Sequence, residues 1–421
     1  MKIELVSIGS ELVCGQVKDL NAPLIASKLT ELGFNVVNHT IAGDNSEELK
    51  FSLQAASERA DLIIITGGLR PTNDDITRKT VADFCNVTLA TNKKSANYVE
   101  ELTGSIHNQK YVNCLKQAQV PEGSIIIHNA TGTAQGFLVK FSQTNIVCLP
   151  GVHTEMVQML DDWVIPYILR ESGERKERYT RVINTFGMSE SVLDEKVQRT
   201  ITPDQNLSYS TLVKNGIVSI RTTLCNTDEI KANSILDSIE EEICRELGTY
   251  VYSKCDETLE STISEIFTQN AITLAVAESC TGGLVSNLLT NVKGSSAFFL
   301  GGIVSYSNKV KEDLLKVSEK LIKEFGVISA EVAIAMASGA RERIQADIGL
   351  AITGIAGPTG VDGSVDRKRP VGLVYVATAI NDELECKEYR FFGSRVDIKR
   401  RAANAALNTL RLSLSGKVAK Q

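Results

Sequence analysis

The stretch Leu62–Gly68, LIIITGG, decides the architecture of the first part of the chain. Its continuous apolar run has no polar alternation, as expected of a parallel strand buried on both faces, and the glycine pair marks the turn at its carboxyl end. Upstream, Ile3–Ile8 is a short β-rich run and Asn21–Leu32 has helical spacing that stops at Gly33. Phe34–Ile41 is strand-like, and Ser46–Arg59 is helical. The order β-α-β-α-β predicts a doubly wound sheet whose ligands sit beyond the carboxyl ends of the strands. Two segments occupy that position, Gly9-Ser10-Glu11 and Gly67-Gly68-Leu69-Arg70-Pro71-Thr72.

Downstream, a helix at His153–Leu169 is followed by the polar run Arg170–Arg178, which reads as a linker. From Tyr179 to Tyr252 the pattern is strand, helix (Ser191–Thr200), strands (Leu207–Tyr209, Ile217–Leu224) and helix (Thr227–Leu247), a small α+β module that reads as a spacer or dimerisation unit. The last segment opens with a helix from about Glu257 and a strand, Ala271–Ala277, that leads into Glu278-Ser279-Cys280-Thr281-Gly282-Gly283. A helix (Leu284–Asn291), a strand (Gly301–Ser305), helices near Lys309–Leu315 and Ala330–Ala346 and a strand (Ile348–Thr353) follow. A glycine-rich loop from Gly354 to Pro370, two strands and a helix at Asp397–Leu412 close the segment. The expectation is therefore two α/β domains, 1–170 and 253–421, joined by an α+β module at 171–252. A length of 421 residues suits more than one core.

With 43% hydrophobic and 23% charged residues the chain has the material for packed cores, which excludes a wholly disordered protein. Its 45 basic and 51 acidic side chains leave a formal charge of −6, so direct nucleic-acid binding is not expected. No apolar run approaches the roughly 18 residues of a membrane span, so no membrane partner is expected and a cytoplasmic location is. The nine cysteines are scattered, without a Cys-x-x-Cys, and most are expected to be small buried hydrophobes. All four histidines, His39, His107, His128 and His153, precede residue 154. Chemistry in the rest of the chain must therefore find a base within its own segment other than imidazole, and a local Ser-His-Asp triad is excluded there.

Ser279 lies at a strand-to-helix turn, where the amides of Cys280 to Gly282 and the positive end of the helix could stabilise an alkoxide or oxyanion. A plain N-cap is the competing reading, and Cys280 is a rival nucleophile. A second cluster, Tyr306-Ser307-Asn308-Lys309-Val310-Lys311, ends another strand. A lysine desolvated beside a serine can serve as base, whereas a solvated lysine is the ordinary alternative. The loop Thr353–Gly360 could form an amide nest for a phosphate, with charge added by Arg395, Lys399 and Arg400; a glycine-rich turn and solvated basic side chains compete. In the first domain Asp74 and Asp75, with Glu11 and Asp19, could hold a divalent cation on a phosphate-bearing ligand, or one Asp could be an N-cap. His153 and Glu155 close the turn Leu149-Pro150-Gly151-Val152, which also fits helix initiation.

Together these strings resemble one family. Ala277-Glu-Ser-Cys-Thr-Gly-Gly, Gly294-Ser-Ser, Tyr306-Ser-Asn with Lys311, Val327-Ile-Ser with Glu331, Thr353-Gly-Ile-Ala-Gly-Pro and Pro370-Val-Gly are similar to the C-terminal domain of the CinA (competence/damage-inducible protein A) family. Ile41-Ala-Gly-Asp44, Gly67-Gly-Leu with Pro71-Thr and Asp74-Asp75, Asn113 with Lys116-Gln-Ala, Asn129, Gly132-Thr-Ala and Leu149-Pro-Gly-Val with Glu155-Met156 resemble its molybdopterin-binding-type N-terminal domain. Phe186-Gly-Met-Ser-Glu-Ser resembles the small KH-like domain between them.

The resemblance implies a C-terminal amidohydrolase that converts nicotinamide mononucleotide to nicotinate mononucleotide and ammonia, feeding pyridine-nucleotide recycling, with no cofactor. Ser279 is then the nucleophile, Lys311 the base and Tyr306 an assisting hydroxyl. Substrate binding falls to Glu278, Cys280, Thr281, Gly282, Gly283, Asn308, Thr353, Gly354, Ala356, Gly357, Arg395 and Arg400. The N-terminal ligand site it implies comprises Glu11, Asn21, Gly67, Gly68, Thr72, Asp74, Asp75 and Glu155. In some members that domain is a metal-dependent ADP-ribose pyrophosphatase, with Asp74 and Asp75 toward the divalent metal here. A homodimer is also implied.

The N-terminal domain departs from the family pattern at Ser10, Arg70, Gln135 and His153. One carboxylate is lost, and Arg70 takes a turn position expected to need a φ-permissive residue. A weak or absent pyrophosphatase follows, leaving a nucleotide- or pterin-binding regulatory domain as the alternative. The C-terminal departures, Thr359, Ser394 and a longer Gly360–Arg369 loop, leave the serine and lysine untouched.

Overall fold

The computed structural model describes residues 1–72, 75–103, 115–172, 178–201, 206–225, 227–358 and 369–418. Asp74, His107, Asn113, Cys114 and residues 359–368 of the glycine-rich loop lie outside the described residues. The chain divides into two compact units, Met1–Arg178 and Tyr179–Gln421.

In the first unit β1 (Lys2–Ile8), β2 (Asn35–Ala42) and β3 (Leu62–Thr66) are parallel, and β4 (Leu89–Thr91) and β5 (Gln119–Pro121) form a separate antiparallel pair. β6 (Ile125–Ile127), β7 (Gly136–Phe141) and β8 (Thr144–Leu149) complete a six-stranded sheet of order β2-β1-β3-β8-β7-β6. Every residue of β3 is buried, as its uninterrupted apolar sequence requires. Leu62 and Ile64 enter one core with Ile3, Leu5 and Ile25, while Ile63 and Ile65 enter another with Val6, Leu49 and Leu53. β8 is parallel to β3 but β7 and β6 run antiparallel, so the sheet is mixed at one side. The helical stretch after residue 153 is broken by a π turn at Leu160–Val164.

The second unit contains two sheets. β9 (Arg178–Phe186), β10 (Leu207–Lys214), β11 (Ile217–Cys225) and β12 (Val251–Ser253) have the order β10-β11-β9-β12. Helices Glu190–Thr200 and Glu229–Leu247 close a small core against them through Leu193, Val197, Ile243 and Leu247. This α+β module is more than a spacer. Its Phe186 and Tyr252 belong to the core of the sheet that follows, and Arg411 donates to the carbonyls of Thr249 and Val251 at 2.6 and 3.0 Å.

That following sheet consists of β13 (Leu274–Glu278), β14 (Phe299–Val304), β15 (Ile348–Gly354), β16 (Leu373–Ile380) and β17 (Glu383–Arg390), in the order β14-β13-β15-β16-β17. The first three are parallel and the last two antiparallel. Leu274 and Val276 pack with residues of helices Leu259–Gln269 and Arg395–Val418, whereas Ala275, Ala277 and Ala351 face helix Ala330–Ile344. The small face lets that helix approach at backbone distance. A Cβ on Gly349 would stand 2.0 Å from the Ala337 carbonyl oxygen.

Among the described residues no helix is long and apolar enough to cross a membrane. The cysteines depart from expectation: only Cys148 and Cys280 are buried, Cys14 and Cys255 are exposed, and the other described ones are intermediate. Cys85, Cys244 and Cys386 pack only partly buried against the cores, while Cys14 follows a helix end and Cys255 lies in a loop.

Candidate active site

β13, β14 and β15 end side by side, because their parallel register sets Glu278 opposite Val304 on one flank and Ile352 on the other. The zipper continues one residue further. The Ser279 N–H donates to the Ile352 carbonyl at 2.9 Å, and the Ser305 N–H donates to the Glu278 carbonyl at 2.8 Å. Ser279 and Ser305 are thereby fixed beyond the strand ends, at the carboxyl-end crevice where the chain moves from β13 to β14 on one side and then back to β15 on the other.

Strand alternation then sorts the side chains. Glu278 falls on the face covered by helix Leu284–Thr290, and Ser279 on the opposite face, where helix Asn308–Leu315 runs. Ser307 caps that second helix by accepting the Val310 N–H at 3.3 Å. The cap places Lys311 one turn in and aims it back at the strand ends. Lys311 is fully buried, with Nζ 3.2 Å from Ser279 Oγ, 2.6 Å from the Ser305 carbonyl and 3.5 Å from the Tyr306 carbonyl.

Burial pushes the Lys311 amine down from its ordinary 10.5 to about 8, slightly opposed by the nearby Cys280. A neutral amine has two N–H donors and one lone pair. The charged amine donates to the Ser279 hydroxyl and to both carbonyls; once it has lost a proton, the two carbonyls can hold its two N–H groups and leave the lone pair for the Ser279 hydroxyl. Burial pushes the Cys280 thiol up to about 12, which disfavours it as the nucleophile at neutral pH.

The expected use of the helix N-terminus is corrected by the structure. The amides of Gly283, Val285 and Ser286 all donate to the Glu278 carboxylate, and Gly282 N–H donates to the Ser279 carbonyl. The positive end of this helix is thus already neutralised by a carboxylate and is not free for an oxyanion. Of the amides considered, those of Cys280 and Thr281 remain.

Around the pair, Tyr306 is exposed and its hydroxyl accepts from Arg395 Nη2 at 3.0 Å, while Arg395 Nη1 donates to the Gly357 carbonyl. Arg395 therefore ties the loop after β14 to the loop after β15. Ala356 and Thr353 are buried, Thr353 donating to the Val327 carbonyl at 3.1 Å, and Gly354 has no room for a Cβ beside the Leu373 carbonyl. Thr281 is buried with an unpaired hydroxyl, and Asn308 is exposed. Arg400 and Lys399 are half-buried, Lys399 Nζ lying 3.6 Å from where a Gly282 Cβ would be. The two carbonyls that hold Lys311 were not foreseen, and no side-chain pattern announces a backbone acceptor. The Ser307 cap was legible as a serine ahead of a helical run.

In the first unit, β1 and β3 open at their carboxyl ends onto a cleft of about 410 Å³ lined by Glu11, Asn21, Gly67, Gly68, Thr72 and Asp75, with Arg70 and His153 also on its wall. Gly67 and Gly68 are both left-handed, and a Cβ would meet the Ile8 carbonyl or the Thr77 hydroxyl at 2.4 and 2.0 Å. Arg70 is not left-handed, which corrects the expected backbone demand: the preceding glycine pair absorbs it. The polar groups here are largely engaged. Asp75 accepts from the Thr72 amide and hydroxyl. Asn21 donates to the Gly151 carbonyl at 2.9 Å and bonds His153 at 2.8 Å. Asp19 accepts the amides of Asn21 and Ala22 and the hydroxyl of Ser7. Glu155 is not part of the cleft wall and accepts from Asn129 at 2.7 Å. Among the described residues no group of three His, Cys, Asp or Glu side chains is gathered to hold a metal ion, and Asp74 lies outside them.

Residues 4–170 match the family described as "Probable molybdopterin binding domain", 180–253 "Damage-inducible protein CinA KH domain" and 256–414 "CinA C-terminal domain". These define the class, a three-module mixed α/β protein. The chain belongs to the CinA family. A "Putative competence-damage inducible protein" of Acetivibrio thermocellus is 42% identical over 401 residues, 95% of each chain. A "CinA-like protein" of Dictyoglomus thermophilum is 36% identical over 414 residues, 98% of this chain and 99% of the other. The crystal structure of competence/damage inducible protein CihA from Agrobacterium tumefaciens is similar at 37% identity and TM-score 0.35, covering 37% of this chain and 92% of that one.

Proposed function

We propose that the C-terminal site is a serine–lysine amidohydrolase that converts nicotinamide mononucleotide and water to nicotinate mononucleotide and ammonia. The observation that carries this reading is the buried Lys311 amine 3.2 Å from the Ser279 hydroxyl, in a part of the chain that has no histidine. Ser279 Oγ attacks the carboxamide carbon while its proton passes to Lys311 Nζ. The oxyanion is held by the Cys280 and Thr281 amides. As the tetrahedral adduct collapses, the C–N bond breaks and the proton on Lys311 goes to the leaving ammonia. Water then adds to the acyl-serine ester, Lys311 taking its proton and returning it to Ser279 Oγ, and nicotinate mononucleotide leaves as its carboxylate, the acid proton ending on ammonia as ammonium. Nucleophile, base and water account for every bond, so the reaction needs no cofactor. Arg395, Lys399 and Arg400 supply the positive charge for the nucleotide's phosphate.

The test is ammonia release by the full chain from nicotinamide mononucleotide, with free nicotinamide and with the Ser279→Ala protein as controls. Equal release by Ser279→Ala, or by Cys280→Ala falling where Ser279→Ala does not, would overturn the assignment.

A second reading concerns the N-terminal cleft. Asp19, Asp44 and Asp75 are engaged in internal hydrogen bonds while Arg70 stands on the wall, which favours binding of an anionic nucleotide or pterin over metal-dependent turnover.

A further inference from the structure

We propose that Glu278 is a positioning residue for the nucleophile, holding the Ser279–Gly283 turn from the opposite face of β13; this rests on the serine–lysine reading above. A carboxylate with no exposed surface is costly unless its oxygens are saturated with donors. Glu278 meets that condition within its own neighbourhood: it accepts from Gly283 N–H at 2.9 Å, Val285 N–H at 3.1 Å, and the Ser286 N–H and hydroxyl at 2.8 and 2.7 Å. Both oxygens are consumed and neither is reachable, so substrate contact does not explain the residue.

What the four bonds do is close a loop. The chain leaves β13 at Ser279, whose amide is tied to Ile352, and returns five to eight residues after Glu278 to bind that same side chain. Between these ties lie Gly282 and Gly283, both left-handed, at φ +62 and +92. Two adjacent glycines are the least restrained link a backbone can have. Without an anchor on their far side, the turn carrying Ser279 and the Cys280 and Thr281 amides would wander. The Ser279 Oγ to Lys311 Nζ separation of 3.2 Å is already near the long end for a hydrogen bond. Small displacements there are expensive in rate.

Glu278→Gln in the full chain tests this. Glutamine keeps the shape but turns an NH₂ toward N–H donors, so kcat for ammonia release from nicotinamide mononucleotide should fall about 10- to 100-fold with KM changed by less than about threefold. The midpoint of the pH profile should stay in place, since Lys311 is untouched. Ser286→Ala, which removes one donor and no backbone, should cost less than about threefold. Hydrogen exchange at Gly283, Val285 and Ser286 should quicken in Glu278→Gln at least about tenfold, while helix Asn308–Leu315 keeps its protection. Raised KM with unchanged kcat would assign Glu278 to substrate contact and overturn the proposal, as would unchanged exchange at those amides. If the unsubstituted protein releases no ammonia from this substrate, the functional reading falls, and the exchange measurement still decides the positioning role.

Discussion

Two crevices in this chain occupy the same topological place, one past the ends of β1 and β3, the other past β13 and β15. Their chemistry is unlike. The first is a wide polar cleft in which Asp19, Asp44 and Asp75 are tied to nearby hydroxyls and amides. The second buries a lysine, with no carboxylate among the described residues to hold its charge, against a serine. Doubly wound topology supplies a location for a site in both, but only desolvation turns an ordinary side chain into a base. On the proposed serine–lysine reading, reactivity is a property of burial more than of residue type.

The sharpest way to break this contrast is at the serine–lysine pair. Ser279→Ala and Lys311→Ala should each lower ammonia release by at least about 10³-fold, with the circular dichroism spectrum unchanged. Glu11→Ala in the N-terminal cleft should leave that rate within about twofold in the same assay. If the cleft substitution costs as much as the pair, the contrast fails.

The second test is pH. Activity should climb about tenfold per unit as pH rises toward about 8 and then level, since the amine must lose its proton to act. A flat profile across pH 6.5 to about 9 would remove Lys311 as base.

The same burial has a cost in stability. Because the folded amine titrates near 8 and the unfolded one at its ordinary 10.5, the unfolded chain binds more protons between those values. Stability should therefore rise with pH through that window and gain nothing further above it. Lys311→Met should be more stable than the parent by roughly 1–3 kcal/mol at pH 7 and lose that slope, as urea titrations at several pH values would report.

A smaller effect is expected in the N-terminal cleft. The unsubstituted chain should bind ADP-ribose yet show little hydrolysis across a divalent-metal titration. Ser10 exchanges two hydrogen bonds with Asp44, its amide donating to the carboxylate and its hydroxyl accepting the Asp44 amide. The Ser10→Asp/Arg70→Gly protein would keep the amide bond and restore a carboxylate. Hydrolysis appearing only there would sharpen the contrast; brisk hydrolysis by the unsubstituted chain would break it.

Much of this was legible in sequence, for uneven reasons. Leu62–Thr66 could be bounded to the residue because an apolar run ending in two glycines admits one reading. The strands β6 to β8 were not foreseen, since they follow one another through loops and turns without the long crossover helices that announce parallel neighbours. Ser279 and Lys311 could be named as candidates, and the family resemblance joined them. Their contact depends on a helix cap and on β13 and β14 lying side by side, which spacing alone does not encode. Phe186 read as part of a separate module, yet it fills the core of the next sheet. Residues 179–421 should therefore fold on their own more robustly than 253–421, a difference that thermal melts of the two fragments would register.

The alternation at the end of β13 carries one more consequence, for which changes of length the gene can tolerate. Glu278 and Ser279 are neighbours in sequence but serve opposite faces of the sheet. Deleting or inserting one codon within Leu274–Glu278 would exchange their sides, presenting an acid to Lys311 and pressing a hydroxyl against amides that need a carboxylate. Divergence along this strand is thus confined to substitution.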